Sequence, residues 1–262
     1  MDRRSSTLFL HGGPGLSSGV ERLWFGDALP ICWWDQPLIA DRSSSAFGQL
    51  VEAATGQLRM MANQSSQPVA LIVHSFGAQI ALELVRRVPE LIQDLTVLGS
   101  GPNPVASLFV LCRRLTEIHS TPELEAAIGM AQRQLNRRNF ESMILLAAQH
   151  PAYPSVYFGP NSIVRDRFLS LLPQTRPLDL ETFFNVMDDF LHTPDAMPMV
   201  NYGGKVKIVL GLHDPLMPVA ATIENWRRLF PQLSSEVLNC AHFIHLEAHP
   251  GSWFEADHQY VA

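Results

Sequence analysis

Four stretches of the chain carry residue types suited to acyl-transfer chemistry. The first is Val73-His74-Ser75-Phe76-Gly77. An apolar run leads into Ser75 and a helical pattern begins at Gly77, the strand–turn–helix setting that exposes a serine hydroxyl for nucleophilic attack. Such a turn brings strand and helix close together, so small residues are expected two positions before and after the serine. Gly77 meets that demand and Val73, bulky and β-branched, does not. Taken alone, the stretch equally suits a serine at a helix N-cap. The second stretch, His11-Gly12-Gly13-Pro14-Gly15, ends an apolar run in a turn whose backbone N–H groups can approach an oxyanion closely. The expected oxyanion donors are the N–H groups of Gly13 and Phe76, with Gly12 and His74 beside the substrate.

The third stretch runs from Gly211 to Pro218 and contains Asp214, placed to hold an imidazole in the tautomer that accepts a proton. An aspartate capping a turn in a Pro-rich segment is the plainer reading. The fourth runs from Asn239 to Glu247. His242, the first histidine after the preceding strand, is the candidate general base. His245 is the alternative, either lining a substrate pocket or joining a final helix that Glu247 begins, where negative charge is favoured. Five further histidines, His119, His150, His192, His249 and His258, have no partner by pattern and are expected to be structural or exposed.

Positioning these groups requires a particular scaffold. Short apolar runs at Thr7–Leu10, Ile31–Trp34, Pro68–Val73, Leu95–Leu98, Val206–Leu210 and, weakly, Glu236–Leu238 read as strands. Helical patterns at Phe47–Asn63, Gly77–Arg87, Val219–Phe230 and Pro250–Tyr260 fall between or after them. The alternation predicts an α/β fold with a mostly parallel sheet of about six strands and helices on both faces. Roughly a hundred residues separate the fourth strand from the fifth, far beyond an ordinary connection of about 2–6 residues. This insert is helical by pattern, with Thr121 and Asp179 as N-caps and Phe183, Phe184, Met187, Phe190 and Leu191 on one helical face. It reads as a cap over 103–203, set on a core of 1–102 and 204–262. Phe184 and Met187 are expected to meet the substrate, and a helical subdomain packed on the sheet is the alternative. Trp24, Trp33 and Trp34 are placed either in the pocket wall or in the core. Carboxylates for a substrate ammonium are sought in the insert, at Glu141, Asp166, Glu181, Asp188 and Asp189.

Composition excludes several classes. The 262 residues carry a formal charge of −6, and Lys205 and Lys207 are the only lysines. No clustered basic face marks a nucleic-acid binder. Cys32, Cys112 and Cys240 have neither metal-type nor disulfide spacing, as expected of reduced thiols in a cytoplasmic protein. The apolar run Leu8–Leu10 is too short for a signal-peptide core, and no stretch is long enough to span a bilayer.

The order of the stretches — oxyanion turn, Ser, long insert, Asp, His — resembles the α/β-hydrolase superfamily from Thr7 to Trp253. HGGPG followed by Asp35-Gln36-Pro37 is similar to the proline iminopeptidase branch, although Pro37 stands where that branch has Arg and VHSFG replaces its GGSWG. Few residues precede His11, so an opening hairpin is not expected. A six-stranded sheet then resembles the compact esterase and hydroxynitrile-lyase branch. The resemblance implies a serine hydrolase acting on a small ester, thioester, lactone or amide with an apolar portion, with no metal or organic cofactor. An aminopeptidase removing N-terminal proline, a lyase or cyclase reusing the triad, and a ligand receptor on the same fold are the alternatives.

Overall fold

The computed structural model describes residues 7–159, 162–191 and 199–254. Six strands, β1 (Thr7–Leu10), β2 (Ile31–Trp34), β3 (Val69–His74), β4 (Ile92–Leu98), β5 (Lys205–Gly211) and β6 (Ser234–Leu238), form one sheet in the order β2-β1-β3-β4-β5-β6. Every neighbouring pair is parallel. Leu10 pairs with Val73 and Val97 with Ile208, so the carboxyl ends of the central strands lie side by side.

Strand side chains alternate between faces, and the core divides accordingly. Leu8, Leu10, Leu71, Val73, Val97 and Ile208 pack on one face, with α2 (Ala46–Ser65), α3 (Gly77–Arg87) and α9 (Val219–Leu229) over them. Phe9, Ile72, Leu98 and Val209 point to the other, covered by Phe25 of α1 (Gly19–Phe25), Ile244 of α10 (Ile244–Glu247) and Trp253. The strands and the three long core helices fall within a few residues of the sequence reading. The two short helices differ from it. α1 lacks an extended apolar period, and α10 is a single turn that Glu247 closes rather than begins. Only a 3₁₀ turn, Pro250–Ser252, forms where a last helix was expected, and the rest of that segment lies outside the described residues. His192 and His258 lie there too.

Between β4 and β5 come α4 (Pro104–Ile118), α5 (Pro122–Arg133), α6 (Arg137–Ala148), α7 (Ser162–Leu171) and α8 (Leu180–Asp188). Asn103 accepts from the Ala106 N–H and Asp179 from the Thr182 N–H, satisfying N–H groups that no helical carbonyl reaches. Thr121 occupies the N-cap position of α5 but its side chain makes no capping bond. Among the described residues no helix is long and apolar enough to cross a membrane.

Candidate active site

Ser75 sits between β3 and α3 with φ of 50°, a left-handed backbone that a non-glycine residue adopts only where the surroundings hold it. They do: its N–H donates to the Leu98 carbonyl at 3.0 Å, and the Ala78 N–H donates back to its carbonyl at 3.1 Å. The tight approach falls on one side of the turn only. A Cβ at position 77 would lie 2.2 Å from the Leu10 carbonyl oxygen, so Gly77 is required. Val73 is fully buried in the core on the helix-covered face, where a branched side chain is packing rather than obstruction.

His242 and Asp214 come from the loops after β6 and β5. His242 Nδ1 lies 2.8 Å from Asp214 Oδ2, both side chains being buried. The Leu216 N–H donates to Asp214 Oδ1 at 2.9 Å, so each carboxylate oxygen is committed. The histidine is fixed through its backbone as well: its N–H donates to the Tyr157 carbonyl at 3.0 Å, and its carbonyl accepts from His74 Nε2 at 3.0 Å. That bond requires the proton of His74 on Nε2. Burial, followed by the charges of His245 and His242, holds the His74 pKa well below its ordinary 6.5, so this imidazole is neutral. Gly99, with φ of 52°, ends β4 under the pair. A Cβ there would lie 2.8 Å from the His242 carbonyl and 3.3 Å from Asp214 Oδ2.

The glycine turn is braced from behind. The Gln36 N–H donates to His11 Nε2 at 3.2 Å and the Gln36 amide donates to the His11 carbonyl at 3.0 Å. Asp35 accepts from the Ser18 N–H and pairs with Arg22 at 2.8 Å. The Asp-Gln dipeptide is thus a clamp on the turn. From the insert, the Asp179 N–H donates to the Gly15 carbonyl at 3.1 Å. Among the described residues the N–H groups of Gly13 and Phe76 donate no hydrogen bond, and both residues line a cavity.

That cavity has a volume of about 600 Å³ and is the place where the candidates meet. Gly12, Gly13, His74, Ser75, Phe76 and His242 line it, as does Met187 from α8. Asp214 is behind His242. Two expected contacts are corrected. Phe184 turns into the core, because successive helical residues point about 100° apart; Phe183, one turn before Met187, takes the wall. His245 is buried behind His74, with ring centroids 4.5 Å apart, and its Nε2 lies 3.1 Å from Glu21 Oε1. Glu21 itself reaches the cavity wall from α1.

The carboxylates sought in the insert do not line the cavity. Glu141 pairs with Arg137 at 2.6 Å, Asp188 with Arg42 at 3.3 Å and Asp166 with Arg165 at 2.9 Å. Asp189 accepts from Ser45 and the Phe47 N–H, and Glu181 is exposed. Trp24, Trp33 and Trp34 are likewise outside the lining: Trp33 stacks on Phe25 at 5.4 Å and Trp24 lies under Arg167 at 3.9 Å. Glu247 reaches back to accept from the Ala241 N–H at 3.1 Å, and burial raises its pKa. All three cysteines are free. Glu21 was missed because its helix is short, and Tyr157 because its role runs through a backbone carbonyl.

A family model described as "Alpha/beta hydrolase family" matches residues 8–256. No curated protein sequence matches the chain. Among solved structures, the proline iminopeptidase-related protein of Thermus thermophilus is similar at 21% identity and TM-score 0.60, covering 92% of this chain and 84% of that one. An esterase from Thermogutta terrifontis is similar at 15% identity and TM-score 0.55, with 92% and 84% covered. The proline iminopeptidase of Mycobacterium smegmatis is similar at 17% identity and TM-score 0.55, with 96% and 87% covered. At these identities the likeness is one of fold.

Proposed function

The chain belongs to the alpha/beta hydrolase family, and we propose that it is a serine hydrolase cleaving a small ester, thioester, lactone or amide through an acyl-Ser75 intermediate. The observation that carries this reading is a serine in a left-handed turn opening on the same cavity as a histidine whose Nδ1 meets a buried carboxylate at 2.8 Å.

Ser75 Oγ attacks the substrate carbonyl carbon while His242 Nε2 takes its proton. Asp214 holds the Nδ1–H and stabilises the imidazolium, and the N–H groups of Gly13 and Phe76 receive the oxyanion. The tetrahedral adduct collapses to acyl-Ser75, and His242 gives its proton to the departing alkoxide, thiolate or amine. Water then attacks the acyl carbon and passes a proton to Nε2. The second collapse releases the acid and returns the proton to Ser75 Oγ. No step in this cycle calls for a metal or organic cofactor. Residues 103–203 serve as a cap, since Tyr153, Tyr157, Phe168, Phe183 and Met187 form much of the apolar wall and favour a substrate with an apolar portion.

Ser75→Ala is expected to abolish both hydrolysis of p-nitrophenyl butyrate and covalent labelling by a fluorophosphonate. Undiminished labelling of that variant would end the assignment of Ser75. Removal of an N-terminal proline is a second reading, favoured by the Glu21 carboxylate in the cavity wall, which would receive a substrate ammonium. Faster turnover of a prolyl p-nitroanilide than of the butyrate ester would select it.

A further inference from the structure

We propose that Arg176 receives a carboxylate carried by the substrate, so that the preferred substrates are half-esters or half-amides of short dicarboxylic acids. This rests on the serine-hydrolase reading and specifies its substrate class.

The charges around the cavity single out one group. His11 and His74 line it, and burial lowers the pKa of both, so they are neutral near pH 7. The Glu21 carboxylate faces His245 Nε2 at 3.1 Å. Arg176 is the one guanidinium in the lining, and among the described residues it forms no ion pair. The nearest acid in sequence, Asp179, spends its side chain on the Thr182 N–H at 2.7 Å; the Arg176 charge acts on it, but the two form no direct ion pair.

The guanidinium is held in place before any substrate arrives. Its Nη2 donates to the Leu16 carbonyl and, at 3.0 Å, to the Gln36 carbonyl. Its Nε is buried without a partner, so the donor capacity of the group is not met by the protein. Leu172, Pro173, Pro177 and Leu178, the last three solvent-exposed, line the cavity beside it, an apolar rim on which a bidentate carboxylate–guanidinium bond would orient the substrate. A substrate carboxylate would give this partly exposed cation, on which Asp179 acts only from beyond ion-pair distance, a direct counter-ion.

Its position relates it to the reaction. The Leu16 carbonyl that Arg176 grips belongs to the turn closed by the Leu16 N–H on the Gly13 carbonyl at 3.3 Å, and Gly13 is the candidate oxyanion donor. A carboxylate at Arg176 would therefore sit a short spacer away from a carbonyl at Ser75.

Mono-p-nitrophenyl succinate and glutarate, compared with p-nitrophenyl butyrate, test this. For the wild-type protein kcat/KM should be about tenfold or more higher for at least one half-ester. In Arg176→Met the ratio of half-ester to butyrate should fall about tenfold, through KM. Arg176→Lys, which keeps the charge without the planar fork, should retain part of the ratio. A wild type indifferent to the carboxylate would overturn the proposal while leaving the hydrolase reading intact. So would equal losses on both substrates in Arg176→Met, which would make Arg176 a brace for the turn. If the wild type neither hydrolyses these esters nor labels at Ser75, the hydrolase reading fails by itself. Calorimetric titration with glutarate then decides the site: binding to the wild type that Arg176→Met loses supports it, and no binding overturns it.

Discussion

A carboxylate behind a histidine orients it best when both carboxylate oxygens are already committed, because the imidazole then has one bond to make and one tautomer to adopt. Asp214 meets that condition, with Oδ1 held by the Leu216 N–H and Oδ2 on His242 Nδ1. Asp214→Asn keeps the shape and removes the charge, and its amide can donate to Nδ1 and so turn the imidazole proton onto Nε2. We expect kcat to fall by about 10³–10⁴-fold with the fold retained. A loss under tenfold in ester hydrolysis would remove Asp214 from its role. At this scale the sequence was informative wherever a residue's chemistry is local to its motif: Ser75, Gly77 and the glycine turn are readable from their neighbours. Glu21 and Tyr157 act on partners more than eighty residues away, His245 and His242. Nothing in their own surroundings marks them.

Elements matter here through their ends. All six strands run the same way, so their carboxyl termini share one edge, where Ser75, Gly99 and the loops bearing Asp214 and His242 converge. Gly99 shows how tight that edge is. With φ of 52° and a virtual Cβ 2.8 Å from the His242 carbonyl, an added methyl must push the histidine loop outward. Gly99→Ala should therefore reduce kcat by on the order of 100-fold, since small misplacements of a reacting group cost that much. Circular dichroism would show the sheet retained, and activity within threefold of wild type would show that the loop tolerates the shift. The central strands were legible because strands buried on both faces are continuously apolar, whereas β4 opens through Gln93 and Asp94 and β6 is mostly exposed, so both were read short. The ends of α3 and α9 were legible from Pro89 and Pro231, and the start of α8 from its Asp179 cap. α1 and α10 were not, since four to seven residues carry too little periodicity. Phe184 was misplaced for a related reason: an apolar helical face does not reveal which of its residues meets a cavity and which a core.

For the whole molecule, the histidines buried at the sheet edge make stability depend on pH. Burial is the largest cause lowering the pKa of both His11 and His74 from 6.5. The unfolded chain therefore binds protons at these sites at a higher pH than the native one. Their contribution is fully present above about pH 6.5 and is lost as pH falls below it towards the folded values. Glu247 works in the opposite direction, its raised pKa making the native state take up a proton above 4.5 as pH falls. The lowered pKa values of Asp35 and Asp179 matter only towards 3.8 and below. Between pH 6.5 and 5 the two histidines should dominate this set, each contributing at most about 1.4 kcal/mol per pH unit. His74→Gln retains an N–H donor for the His242 carbonyl and removes one titration. Urea unfolding of this variant between pH 7.5 and 5 should show a shallower loss of stability than the wild type, by up to one proton in slope. Identical slopes would mean that His74 takes up its proton as readily in the native state as in the unfolded one, placing a charged imidazole beside the proposed general base.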